Sequence, residues 1–187
     1  MNGLYSLRRA DPSVRLGTVL FLLLLGYSYV FAFLMVRHWA GLSPSTVSSV
    51  YVPRPQLEES HMEMHSQSTT QPLDFSSLAH AQHQVDTDLL IQDSHIHIMI
   101  YAIVAGLETL IILGLEWGRA WRNIVITAAF VSGGLDFAGQ WLMKAGIGGF
   151  AWLTILSGWT MATVYLAVLA GTLVALWPRH RTQERTA

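Results

Sequence analysis

The chain has 187 residues, of which 52% are hydrophobic and only 12% charged, with a mean hydropathy of +0.40. So apolar a composition excludes an ordinary soluble domain, and a formal net charge of −1 argues against a nucleic-acid partner. The lack of cysteine excludes disulfides, thiolate metal sites and covalently attached haem.

Residues 1–15 form a short basic lead containing Arg8, Arg9 and Arg15. A first transmembrane helix is predicted over 16–38, where residues 16–36 carry no charge at all. About 20 apolar residues suffice for a helix to cross a hydrocarbon core of roughly 30 Å. The block is long for the apolar part of a signal peptide, and Arg37, His38 and Trp39 follow it where a small-residue cleavage motif would stand. It reads as an uncleaved signal anchor. Tyr27, Ser28 and Tyr29 give it a mildly polar belt near mid-span, able to face a neighbouring helix or a ligand.

Residues 39–94 change character and become rich in Ser, Thr, Gln, His and Pro. Seven acidic residues (Glu58, Glu59, Glu63, Asp74, Asp86, Asp88 and Asp93) stand against Arg54 alone, a net charge of −6. The stretch "SPSTVSSVYVPRPQ" has the composition of an extended loop. The stretch "DFSSLAHAQHQVDTDLLIQ" reads instead as a short amphipathic helix on the membrane face, with Phe75, Leu78 and residues 89–91 inward. Within this loop "HMEMH" places His61, Met62, Met64 and His65 together, and imidazole with thioether is a soft ligand set that suits Cu(I). "HAQH" adds His80 and His83, an i,i+3 pair able to close a copper or zinc site. The plainer reading of both is a solvated, histidine-rich loop.

A second span is predicted over 95–116, with Glu108 the one charge in residues 96–115. His95 and His97 stand two apart, about 200° around a helix, so their rings diverge and cannot grip one target. His97, Tyr101 and Glu108, at spacings of four and seven, share one face that descends roughly 16 Å from the interface towards mid-membrane. A third span over 122–144 carries Asp136 as the single charge of residues 124–143. There Ser132, Asp136, Gln140 and Lys144 repeat every four residues as a second polar stripe, and Glu108 and Asp136 are expected at similar depth. Gly133, Gly134, Ala138 and Gly139 would let another backbone approach closely. The tight link "KAGIGGF" makes the last two spans an antiparallel hairpin. The fourth span is predicted over 150–177, followed by a tail, 178–187. Trp117, Trp121, Trp141, Trp152 and Trp177 read as interfacial belts.

The fold class expected is therefore all-α integral membrane with four transmembrane helices. Eight arginines (Arg8, Arg9, Arg15, Arg119, Arg122, Arg179, Arg181 and Arg185) fall on one side and Arg37, Arg54 and Lys144 on the other. That bias puts both termini in the cytoplasm and the 39–94 loop outside, periplasmic if the membrane is a bacterial inner membrane. No soluble catalytic domain, phosphate-binding glycine motif or internal repeat is evident.

Membrane carboxylates are expensive unless they face the bundle interior, pair, or bind a proton. Glu108 and Asp136 could thus serve a quinone or proton path, or be neutral, hydrogen-bonded groups that only specify packing. His97 is a candidate axial ligand of haem b, which needs imidazole nitrogens and an apolar slot, with His38 as its intramolecular partner. The alternative is that both His95 and His97 are polar anchors among the headgroups.

The stretches "SHIHIMIYAIVAGLETLIILGLEWGRAWRN", "GGLDFAGQWL" and "FAWLTILSGWTM", within residues 94–177, resemble small, poorly characterised bacterial four-helix membrane proteins. Members open the second helix with Ser/Thr-His-x-His and accompany respiratory cytochrome systems. The resemblance implies His95, His97 and Asp136 as defining positions. The expected function is a small membrane subunit or anchor of an electron-transfer or metalloenzyme complex, not catalytic alone. In it His95, His97, His38 and Tyr101 would border a haem or quinone site, above a polar path of Glu108, Asp136 and Gln140. Its acidic loop could wrap a partner subunit and order on binding. The alternatives are a copper-handling membrane protein and a cofactor-free assembly subunit.

Overall fold

Long uncharged runs leave the backbone no partner but itself in lipid, and the chain answers with helices. A computed structural model describes residues 5–53 and 85–177. These form α1 (Pro12–Trp39), α2 (Pro44–Tyr51), α3 (Thr87–Gly114), α4 (Arg119–Lys144) and α5 (Ala151–Leu176), with single 3₁₀ turns at Leu7–Arg9 and Gly148–Phe150. No strand occurs among the described residues. Four helices are long and apolar enough to cross a membrane, namely α1, α3, α4 and α5, the last joined to its preceding turn. The protein is all-α, with four helices of transmembrane length.

The helices α1, α2 and α3 start where the sequence supplies a side-chain cap. At α1 the Asp11 carboxylate accepts from the Ser13 N–H at 2.8 Å, and Pro12 occupies the first helical position. That backbone hydrogen bond holds the Asp11 carboxyl below its ordinary value. The helix stops at Gly41, whose φ of +72° lets its N–H turn back to the Val36 carbonyl at 2.9 Å. Asp86 caps α3 by accepting from the Thr87 N–H at 2.6 Å.

Two expectations change here. The stretch read as an extended loop after residue 43 contains α2. Ser43 and Thr46 form a reciprocal capping box, Pro44 opens the first turn, and Val47 and Val50 bury a face against Met143 and Ala151. Serine and proline are loop vocabulary, but at these positions they start a helix. Of the stretch read as a surface helix, residues 74–84 lie outside the described residues, and residues 87–92 run into the second span as the opening turns of α3. In these turns Leu90 is inward, at 0% exposure, whereas Leu89 and Ile91, also expected inward, are each 52% exposed. Phe75, Leu78 and the histidine- and methionine-rich motifs lie outside the described residues.

The central helix is α4, which packs on α3 along one side and on α5 along the other, the latter as the expected antiparallel hairpin. The fit to α3 depends on Gly133, where an added Cβ would lie 3.0 Å from the Tyr101 ring. Gly139 likewise admits Thr154 of α5, but Gly134 has open space beside it. On α1 only Leu22 is buried; its carbonyl accepts from the Tyr165 hydroxyl of α5 at 3.0 Å. The basic lead is no free arm either. Leu7 is fully buried with Leu22, Ile112, Leu115 and Val168, and the Tyr5 hydroxyl donates to the Leu110 carbonyl at 2.7 Å.

Candidate functional site

The helical phase of α3 sets out the candidate side chains as the spacing predicts. His95 is exposed, pointing away from the bundle, while His97 is half-buried and turned to α4. The His97 ring lies 6.2 Å from that of Tyr101 and 6.4 Å from that of Phe137, and the latter two rings are 5.7 Å apart. His97 Nδ1 is 3.0 Å from the Asp93 carbonyl and 3.4 Å from the Asp93 carboxylate. A carbonyl only accepts, so Nδ1 carries a proton, and in the neutral ring Nε2 is the nitrogen left to offer.

On α4 the second stripe is equally regular. Gln140 Nε2 donates to Asp136 Oδ2 at 3.1 Å, and both groups lie within the packed side of the helix. Ser132 is buried, and Lys144 Nζ donates to the Val85 carbonyl at 2.6 Å, tying the start of α3 to the end of α4. Asp136 adjoins Phe137, the α4 ring that meets both His97 and Tyr101. From α2, Tyr51 closes this group over. Burial, and then the nearby Asp136 and Asp93 carboxylates, push its phenol up to about 12. Asp93, His97, Tyr101, Asp136, Gln140 and Tyr51 therefore form one polar cluster at this end of the bundle.

Glu108 belongs to a different level. Because Tyr101 meets Gly133 and Phe137, the antiparallel register puts Glu108 beside Ala129, about 10 Å further along the bundle than Asp136. The expectation of similar depth is corrected by that register. Glu108 is 3% exposed and its Oε1 has no hydrogen-bond partner among the described residues. It borders a cavity of about 20 Å³, shared with Tyr29, Tyr101, Gly133, Met161 and Val164. That is room for one water. Tyr29 stacks at 5.1 Å on Tyr165, so the polar belt noted in α1 resolves into Tyr29 inward and Tyr27 66% exposed.

His38 and His97 are not brought together. His38 sits exposed at the end of α1, its ring 5.8 Å from Trp39, and α1 packs chiefly on α5. No group of three or more His, Asp or Glu side chains among the described residues converges on a metal-sized site. His61, Met62, Met64, His65, His80 and His83 lie outside the described residues.

Sequence reasoning missed Tyr51, Tyr165 and Ser94. Ser94 is buried and accepts from Trp141 Nε1 at 3.0 Å, which makes Trp141 a strut between α3 and α4 as well as an interfacial ring. Ser94 lies three residues before His97 and seven before Tyr101, so the helical phase of their stripe could have found it.

A family model for the Aq_1264_TM transmembrane helical domain matches residues 41–184. The chain belongs to the Aq_1264_TM family. The match to Aq_1264_TM takes in α2 to α5, hence the entire polar cluster and Glu108, and begins just beyond the end of α1. The Aq_1264_TM domain thus coincides with the well-packed part of the bundle, and the sparsely packed α1 lies outside it. Comparison with curated proteins and with solved structures gives no match.

Proposed function

We propose that the chain is a small integral-membrane subunit, or anchor, of a respiratory electron-transfer or metalloenzyme complex. In this reading the α3–α4 seam supplies one wall of a haem or quinone site, with a proton path leading from it towards Glu108. The observation that carries it is Glu108, a carboxyl 3% exposed in a membrane-spanning helix, with one oxygen unpartnered beside a water-sized cavity. A buried polar atom left unpaired costs about 1–3 kcal/mol, so packing alone gives no reason to hold one there. An intramembrane carboxyl is by default a site of proton or substrate chemistry.

His97 supports the entry to such a path. Its Nε2 is available as a ligand or proton acceptor at the half-exposed mouth, with Tyr101 between it and the Glu108 cavity. Since no second imidazole of the described residues meets His97, a haem or quinone on this face would be completed by a partner subunit. The arginine bias supports placing the His97 end on the periplasmic side of a bacterial inner membrane.

The test is electron transfer from quinol in membranes carrying the wild type, Glu108→Gln or His97→Ala, each at matched levels of inserted protein. Loss of a proton-transfer group is expected to slow turnover by about 100-fold in Glu108→Gln. Unchanged turnover in both variants rejects the reading.

A further inference from the structure

At the opposite end from His97 the chain builds a second cleft. Tyr5 and Leu7 strap residues 5–10 across the ends of α3 and α5, and two glycines give the strap and the α3–α4 turn their seats. A Cβ on Gly114 would lie 2.6 Å from the Tyr5 ring, and one on Gly171 would lie 2.6 Å from the Trp117 indole. Between strap, turn and α5 is a cleft of about 460 Å³, within the range of about 300–1,000 Å³ usual for small-molecule sites. Arg8 and Glu116 stand on its rim, Trp117 and Trp121 on one wall, and Gly171 and Val174 along the other. Val174 is 74% exposed and Trp121 51% exposed, so the cleft opens sideways where the apolar spans meet lipid.

Its charge is as polarised as its shape. Five described arginines (Arg8, Arg9, Arg15, Arg119 and Arg122) lie at this end against two acids, Asp11 and Glu116. Glu116 accepts from the Ser6 hydroxyl at 3.4 Å, whereas the Arg8 guanidinium has no acidic partner among the described residues. An exposed cation above an apolar slot, flanked by indoles at the level where spans end, matches an amphiphile with an anionic head.

We propose that this cleft binds one anionic phospholipid, its phosphate against Arg8 and an acyl chain along Gly171 and Val174. The lipid would brace the strap against α5. A free soluble anion would leave the slot unfilled, and a zwitterionic lipid would bring a cationic group to this arginine-rich end that offsets what its phosphate gains from Arg8.

The test is native mass spectrometry of the full chain from mild detergent, loaded with phosphatidylglycerol or phosphatidylcholine. One well-placed arginine near an anionic head is expected to give about a fivefold preference for phosphatidylglycerol. Arg8→Gln should erase that preference, Arg9→Gln should keep it, and Val174→Trp should lower retention of both lipids by filling the slot while leaving the charges alone. Because Val174 is exposed, that variant also guards against reading a folding defect as lost binding. Equal retention of the two lipids by the wild type, or an unchanged preference in Arg8→Gln, overturns the proposal. So does an equal rise in melting temperature with inorganic phosphate alone. A cleft filled by residues 178–187 or by a second copy would leave the full chain indifferent to every lipid, which also overturns it.

Discussion

Replacing Glu108 with Leu separates a functional carboxyl from a structural one. Its Oε1 has no protein partner among the described residues, so Leu removes a buried group unpaired there and the thermal midpoint in detergent is expected to hold or rise. A fall of about 1–3 kcal/mol, the usual cost of leaving a buried hydrogen-bonding group unsatisfied, would mean that Glu108 is a structural strut. Gly133 makes the opposite case. A methyl there would press on Tyr101 at 3.0 Å, and overpacking is expected to cost about 1–3 kcal/mol in Gly133→Ala. Gly134→Ala, with open space beside it, should be neutral or gain up to about 1 kcal/mol from helix propensity. The two midpoints, read from tryptophan fluorescence, compare adjacent residues on one helix. The sequence marks Gly133, Gly134, Ala138 and Gly139 alike. Which of them touches a neighbour depends on helix rotation, and that is fixed by side chains such as Tyr101 on the facing helix.

Among the elements, the spans were legible because lipid permits so few backbone solutions: uncharged runs of that length have to be helices. The face shared by His97, Tyr101 and Glu108 was legible too, since it follows from the helical period. The level of Glu108 against Asp136 was not, because register between helices is set by contacts across them. The helix α2 was hidden for another reason: its capping residues are those that also make loops. Ser43→Ala is expected to cost about 1 kcal/mol by opening the capping box and to loosen α2 from Met143 and Ala151. Hydrogen exchange confined to residues 44–51 checks it. Docking of α2 should also fail in strong alkali. The Tyr51 phenol is pushed up to about 12 from an ordinary value near 10, so its contribution is complete below pH about 10 and is lost as pH rises through about 12. The difference in phenolate absorbance between wild type and Tyr51→Phe should therefore show a late component near 12. A difference titrating near the ordinary value would place Tyr51 in water.

For the whole molecule, the Aq_1264_TM match and the packing agree on a core of α2 to α5, with α1 attached mainly through Tyr165 and Leu22. Much of the surface of α1 is exposed and apolar, including Leu24 at 71% and Met35 at 66%, and is free to meet lipid or another subunit. Function was the least legible level. A polar seam is read directly from the helical period, whereas the species it would handle depends on groups that a partner would supply. The most direct test is purification of the full, tagged chain from its native membranes in mild detergent, followed by mass spectrometry of the eluate and an absorption spectrum. The expected result is a stoichiometric set of co-purifying redox subunits carrying haem or quinone. A chain that elutes alone, without chromophore or quinone, would contradict the assignment.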